Sequence, residues 1–433
     1  LTIPDGIGRV AMVRVVVVGG GWAGCAAACA ARKAGAGVTL VERTDMLLGT
    51  GLVGGIMRNN GRLTAWLELE ALGATDLLAI ISAMTRHAKI DFPGHRHASL
   101  YDVDRIEPMV RAFLEESGVE ILTQTRATGV KMRGRAIESI IVDREEQISG
   151  DVFVDATGTA ATMRKCIRHD GVCVMCILRC PSFGPRVSIA AQAGVEEIEG
   201  EYMEAMSGSC KLTKDSLGTW LVQRLEKYGV VVVPIPKYVM AKDNLRRKAC
   251  QQYALKEYAD NLVLLDTGPA KLMAPFFPLE KLRQIPGFTS ARYNDPYSGG
   301  KGNSIRYSII TPHDRALKVS GVENLFCAGE KTGLLVGHTE AIVTGTLAGH
   351  NAVRLAAGKH LLELPRSMAG GDIIAYINES VQTEEGRRRK YTFSGSVYFE
   401  RMKELNLYTT QYREAERRAR LAGLEDAFSQ KIV

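Results

Sequence analysis

Long hydrophobic runs are missing from this 433-residue sequence, and none approaches the ~20 apolar residues that span a bilayer. A membrane partner is therefore not expected. Val15–Val18 with its Ala-rich sequel comes nearest to a secretion leader, but a glycine turn interrupts it. Charge of one sign is also scarce. Lys and Arg number 55 against 48 Asp and Glu, giving +7 and a pI of about 8.9, a mild excess for this length. Much of it sits in Arg387-Arg388-Arg389-Lys390 and Arg413–Arg420. Such runs predict solvated helix faces, with RNA or another acidic partner the less favoured reading. Metal patterns are lacking as well. No Cys-x-x-Cys partner pair and no His-x-x-x-His accompanies the cysteine-rich stretch, so no metal is assigned. No Cys-x-x-x-x-Cys stands near Gly49, which argues against dithiol chemistry at that loop. Nine cysteines without a secretion signal predict reduced thiols and a cytoplasmic location. The chain begins at Leu1 and not at Met, so a start further upstream is expected.

Hydrophobic residues make up 46% and charged residues 24%, ordinary for a globular protein. The length exceeds one small domain, and two or three are expected. The densest information lies in Val15–Glu42, VVVVGGGWAGCAAACAARKAGAGVTLVE. Four valines predict a buried parallel strand, and Gly19-x-Gly21-x-x-Gly24 the turn that leaves it. A small-residue helix is expected from about Ala23 to Lys33, then a strand Val38–Val41 ending on Glu42. Each part has a task in holding a dinucleotide. Gly19 permits the tight turn, Gly21 lets the backbone approach a pyrophosphate, and Gly24 lets the helix press on the sheet. The helix start offers amides and partial positive charge to the phosphates. Glu42 stands where a carboxylate accepts from the ribose hydroxyls.

Three further stretches choose between NAD and FAD. Arg43 to Gly51 continues into a Gly-rich loop with Gly49, Gly51, Gly54 and Gly55. Asp151–Gly158 runs as an apolar strand into Ala156-Thr157-Gly158. Val322–Glu330 is a strand ending in Ala328-Gly329-Glu330. No second Gly-x-Gly-x-x-Gly follows a strand, so no built-in NAD(P)H domain is expected. Together these stretches resemble the FAD-dependent oxidoreductases of the glutathione-reductase-type flavoprotein superfamily. That resemblance implies an α/β, Rossmann-like FAD-binding fold. It places Arg43, Gly49 and Gly51 beside the cofactor, Ala156, Thr157 and Gly158 near its adenosine half, and Gly329 and Glu330 at the ribityl chain. From Pro286 to Ile377 the sequence is similar to the folate- and FAD-dependent tRNA uracil-5 methyltransferases and to flavoproteins that modify tRNA wobble uridines. The carriers are Asn324–Gly333, Gly337-His338-Thr339-Glu340, Gly345, Gly349 and Leu364-Pro365. Those methyltransferases have a Cys-Ser-Asn-Ser-type loop in the N-terminal half. Arg58-Asn59-Asn60-Gly61 stands in its place here.

Small residues at Gly345, Ala348 and Gly349 predict a helix pressed on another backbone or on a ring system. Its start at Gly337, His338 and Thr339 is expected to face the flavin, where a positive helix end favours reduction. His338 and Glu340 are the candidate catalytic residues, His338 as a proton-exchanging group and Glu340 two positions on. The expected division is an FAD-binding domain in two parts (11–170 and 300–377), an inserted substrate domain (171–299) and a helical tail (378–433). Within the middle part, Asp170-x-x-Cys173-x-x-Cys176-x-x-x-Cys180-Pro181, with Cys166 upstream, admits three readings: buried hydrophobes, a redox thiol pair, or an iron–sulfur cluster. His95 and His97 are expected in a Pro-Gly loop, and Arg306 and Tyr307 on a strand beside the substrate. The expected function is an FAD-dependent oxidoreductase acting on a small molecule or redox partner, with a homodimer as the expected assembly. The alternatives are an RNA-uridine modifier and an electron-relaying flavoprotein subunit.

Overall fold

The computed structural model describes residues 12–158, 179–199, 205–207, 210–239, 253, 255–274, 277–294, 304–306 and 309–433. At its centre is a five-stranded parallel sheet in the order Leu325–Cys327, Val152–Asp155, Arg14–Val18, Gly37–Val41, Val119–Leu122. The first strand is central, with Val15 opposite both Val152 and Val38. All four of its valines are buried, because both faces of the sheet are covered. On one face lie the first helix, Trp22–Lys33, and the long helix, His338–Ala356. On the other a three-stranded antiparallel layer (Ala127–Arg133, Ala136–Val142, Gln147–Ser149) sends Ile137, Ile140 and Val142 against Val16, Val18 and Phe153. The expected first helix and second strand are present. Tyr101 ends a strand, and the helix Ile106–Glu116 begins shortly after it.

A second sheet is antiparallel, in the order Cys210–Leu212, Ala270–Leu272, Asn261–Asp266, Val230–Pro234. It has its own core, in which Leu212, Leu221, Leu225, Leu264 and Phe288 meet. A smaller sheet of Ile56–Met57, Thr85–Phe92 and His95–Tyr101 packs on it, with Phe92, Ala98 and Leu100 against Val263 and Leu265. Residues 85–101 thus precede the expected insertion in sequence but share its core, since their alternating apolar face needs the second sheet to cover it. The boundaries expected at 170/171 and 299/300 fall outside the described residues, as do Cys166, Cys173, Cys176 and Tyr307.

The segment beyond 378 is helical, at Glu384–Arg387, Ser396–Glu404 and Tyr412–Leu421. It is not an appendage. The expected boundary cuts the helix Ala369–Ser380, and Tyr391, Phe393, Tyr398, Met402 and Phe428 enter the same core as the parallel sheet's helices. Its basic run is internally matched: Arg388 pairs with Glu384, Arg389 with Glu385, Arg417 and Arg418 with Glu414, and Arg420 with Glu416 and Glu425. No helix among the described residues is long and apolar enough to cross a membrane.

Candidate cofactor cleft

A cleft of about 310 Å³ opens above the C-terminal ends of the central strands, the place where open parallel sheets bind ligands. The first strand turns out of the sheet at Gly19, whose φ of +104° suits glycine. The Gly19 amide donates to the Val41 carbonyl at 2.8 Å. Gly24 packs so closely that a Cβ there would run into the Gly19 carbonyl oxygen. Gly21 differs: it is extended, and a Cβ on it would meet no protein atom within 4 Å. Gly21 N-caps the first helix without a side-chain cap, so the amides of the first turn are presented at the cleft. Gly49 is similarly open.

Glu42 ends the second strand at the cleft wall. Its Oε2 accepts from the Gly20 amide at 2.7 Å, and its Oε1 accepts from the Thr44 amide and hydroxyl at 2.8 and 2.9 Å. These bonds fix the carboxylate plane. Ala156, Thr157 and Gly158 line the same end, with Thr157 donating from its amide and hydroxyl to Asp155. Arg43 lies there too and donates to the Gly184 carbonyl at 2.6 Å. Burial draws its guanidinium below the usual range, with Arg186 and Arg179 adding to the effect. Arg126, Arg179 and Arg186 also line this end and were not expected, because isolated arginines carry no sequence signal; Arg179 pairs with Asp45 at 2.6 Å and Arg126 with Asp143 at 3.2 Å. Cys180 is half-buried nearby, and among the described residues no group of side chains is arranged to hold a metal ion.

Gly329 and Glu330 line the middle of the cleft. Immediately after them Lys331 is fully buried, donating to the Ser188 hydroxyl at 2.6 Å and to Glu197, with Asp155 3.8 Å away. It ties the turn after the fifth strand to the turn carrying Thr157.

Gly337 and His338 form the far end. The Tyr101 hydroxyl donates to the Gly51 carbonyl at 2.5 Å and accepts from Trp22 Nε1 at 3.3 Å. Its single proton is spent on Gly51, so His338 Nδ1, 3.3 Å away, is the donor in their contact. Nε2 is then the ring's proton acceptor. Burial pushes the Tyr101 phenol up and keeps it protonated. Gly54 lies flat against the imidazole, where any Cβ would overlap Cε1.

Four expected site residues lie off the cleft surface. Gly24 and Gly51 serve through packing, Gly51 against Trp22. Thr339 is buried with its hydroxyl 3.6 Å from Met57 Sδ. Glu340, expected to be catalytic, points the other way. It is 1% exposed and accepts from Arg62 Nε at 3.0 Å, from the Thr392 hydroxyl at 2.7 Å and from the Phe393 amide at 2.9 Å. The carboxylate lies at the helix entrance, where a Cβ on Gly337 would run into its Oε2, and buried Arg62 pairs with it there and not in the cleft. His95 is likewise inside: it stands on a strand between Phe92 and Tyr253, and its Nδ1 faces the side-chain amides of Asn59 and Asn60. Arg306 lies on a strand paired with Ala205–Ser207.

Residues 14–166 match the family FAD dependent oxidoreductase, and residues 276–360 match Glucose inhibited division protein A. The chain is 30% identical over 143 residues to the tRNA uridine 5-carboxymethylaminomethyl modification enzyme MnmG of Chlorobaculum tepidum, covering 33% of this chain and 22% of that one. It is 47% identical over 55 residues to the methylenetetrahydrofolate–tRNA-(uracil-5-)-methyltransferase TrmFO of Brevibacillus brevis, covering 13% of this chain and 12% of that one. It therefore spans under a quarter of the length of these relatives. Among solved structures it is similar to Aquifex aeolicus GidA, with a TM-score of 0.68 at 16% identity, over 97% of this chain and 74% of that chain. The FAD dependent oxidoreductase match and the open cradle at Gly21 agree, and the cofactor is FAD.

Proposed function

We propose that the chain is an FAD-dependent oxidoreductase whose small-molecule substrate meets the cofactor at the His338 end of the cleft, between the parallel-sheet unit and the second sheet. In this reading the fold is of the glutathione-reductase type, residues 171–299 supply the substrate side, and the protein works in the cytoplasm. Gly19, Gly21 and the first helix hold the pyrophosphate, and Glu42 the adenosine ribose. Arg43, Ala156, Thr157 and Gly158 flank the adenosine half; Glu330 takes the ribityl hydroxyls. Bound FAD supplies the two-electron exchange. The observation that carries the reading is the contact of His338 Nδ1 with a Tyr101 hydroxyl that donates to Gly51, which assigns the ring proton to Nδ1 and leaves Nε2 as the proton acceptor. Positioned proton acceptors of this kind contribute about 10²–10⁴-fold to a rate. Glu340 is assigned to holding the helix start and not to proton transfer.

A second reading, modification of tRNA uridine, is favoured by the names of the MnmG and TrmFO relatives. Against it, Arg58–Gly61 holds no cysteine, and Asn59, Asn60 and Arg62 are used inside the fold. The deciding experiment is anaerobic reduction of the yellow holoprotein by a panel of NAD(P)H, amino acids, hydroxy acids and thiols. Bleaching of the flavin band by one of these, with tRNA binding no tighter than the ~10⁻⁴–10⁻⁶ M of non-specific contacts, supports the oxidoreductase. Nanomolar tRNA binding with no small donor active supports the second reading.

A further inference from the structure

Lys271 is a buried charge outside the lining of the cleft. It stands on the second sheet's strand Ala270–Leu272 and is 4% exposed. Its Nζ donates to the carbonyls of Val53 at 2.6 Å and Gly54 at 2.5 Å. These are the last carbonyls of the short helix Gly51–Gly54, where a helix accepts a cation. An ammonium taken out of water is costly unless such bonds compensate it, so the contact fixes the helix against the second sheet. The other side of that helix bears on His338. Gly54 lies against the imidazole, and Gly51 accepts the proton of Tyr101 that makes Tyr101 an acceptor for His338 Nδ1. Gly55, at φ +71°, closes the joint by admitting the Thr267 side chain.

We infer that Lys271 is a positioning residue that acts through the carbonyls of the Gly51–Gly54 helix to set the placement and tautomer of His338. The inference rests on the reading of His338 given above. Without the ammonium, the Val53 and Gly54 carbonyls lose these donors and the helix end shifts. The Gly51 carbonyl then leaves Tyr101, whose hydroxyl can turn its proton toward Nδ1. The imidazole proton moves to Nε2, and the cleft faces a donor where it had an acceptor. The buried positive charge has a second effect, because at this end of the cleft it favours the more negative, reduced cofactor.

The test uses FAD-loaded K271M, checked for flavin content and far-ultraviolet circular dichroism. Its midpoint potential is measured by dye-coupled reduction. Its rate is measured as reoxidation of the dithionite-reduced holoprotein by dioxygen, each dioxygen taking two electrons and two protons to give hydrogen peroxide. The expected results are a more negative potential and reoxidation slowed by about 10²-fold, the effect of a ~1 Å misplacement of a reacting group. In an H338A background K271M should slow the reaction no further. Wild-type potential and rate in K271M overturn the inference. So does a slowing of the rate by K271M that persists in full without His338; the shift in potential, which comes from the charge itself, is expected to remain. If K271M fails to fold, K271Q, which keeps one donor toward the carbonyls, is expected to react at an intermediate rate, and wild-type behaviour there overturns the inference equally. Wild-type reoxidation by H338A would instead overturn the reading of His338 itself.

Discussion

Gly21 and Gly24 are three residues apart and answer to different neighbours. A side chain at Gly21 meets no protein atom, whereas one at Gly24 runs into the Gly19 carbonyl. Gly21→Val is therefore expected to fold with the melting temperature of the apoprotein but to be purified colourless. Gly24→Ala should lose stability by about 1–3 kcal/mol through overpacking; calorimetry of both apoproteins together with flavin absorbance separates the two roles. His350, on the long helix, is fully buried, and neither ring nitrogen has a hydrogen-bond partner among the described residues. Burial, reinforced by Arg354, lowers its pKa from 6.5 to about 4. The unfolded chain takes up this proton as pH falls through 6.5, the folded chain only near 4. Stability is thus complete above pH 6.5 and declines between those values, by up to ~3 kcal/mol. Melting temperatures of His350→Leu across this window should lose that part of the slope; an unchanged slope would assign the acid sensitivity elsewhere.

The first helix and the long helix pack backbone against backbone. Side chains at Gly345 and Gly349 would strike the carbonyls of Ala23 and Ala27. Gly345 and Gly349 were legible as a packing signal because small residues four apart share one helical face; which helix they met was not, since several Ala-rich surfaces could have served. Gly349→Val should cost at least ~1–3 kcal/mol and, by displacing the first helix from the sheet, weaken FAD retention. Equilibrium dialysis of FAD alongside the melting curve checks both effects, and undiminished affinity would mean the helices separate without moving the cradle. The tail helices show the opposite case. Their Arg-rich runs predicted solvated helix faces, and the structure adds that these arginines pair with glutamates of these helices. The burial of Tyr391, Phe393 and Tyr398 in the main core has no local signature in an aromatic-polar mixture.

Across the whole molecule, the second sheet and the smaller sheet meet at Asp266. Its buried carboxylate accepts from Arg86 at 3.1 and 3.2 Å, from His87 at 2.9 Å and from Lys214 at 2.7 Å. Burial alone would raise its pKa; the bonds from Lys214, His87 and Arg86 outweigh burial and hold the carboxyl below its usual range. Arg86 also reaches Asp102 at 3.0 Å, beside Tyr101. Asp266→Asn removes the charge that these cations share, and breaking one side of a buried pair costs about 3–5 kcal/mol. Limited proteolysis should then cut the second sheet's loops faster than in the wild type while FAD remains bound. Equal cutting rates would mean that apolar contacts such as Leu100 with Leu265 carry the junction.

What the sequence by itself determined is the local machinery: four valines, a glycine-timed turn, a helix of small residues and a terminal acid. Each follows from the φ, the volume or the charge of residues close together in the chain, and so could be read without knowing the fold. The Ala-Thr-Gly and Ala-Gly-acid turns that line one cleft were instead legible through their resemblance to a family. The tertiary structure alone decided which charges are spent within the fold. Glu340 is turned to Arg62, 278 residues away in the chain, and so leaves the cleft. Lys271 reaches Val53 and Gly54 across a gap of 218 and 217 residues, and Tyr101 orients His338 across 237. Partners so distant in sequence are chosen by which surfaces the two sheets bury together, and burial is a property of the assembled chain.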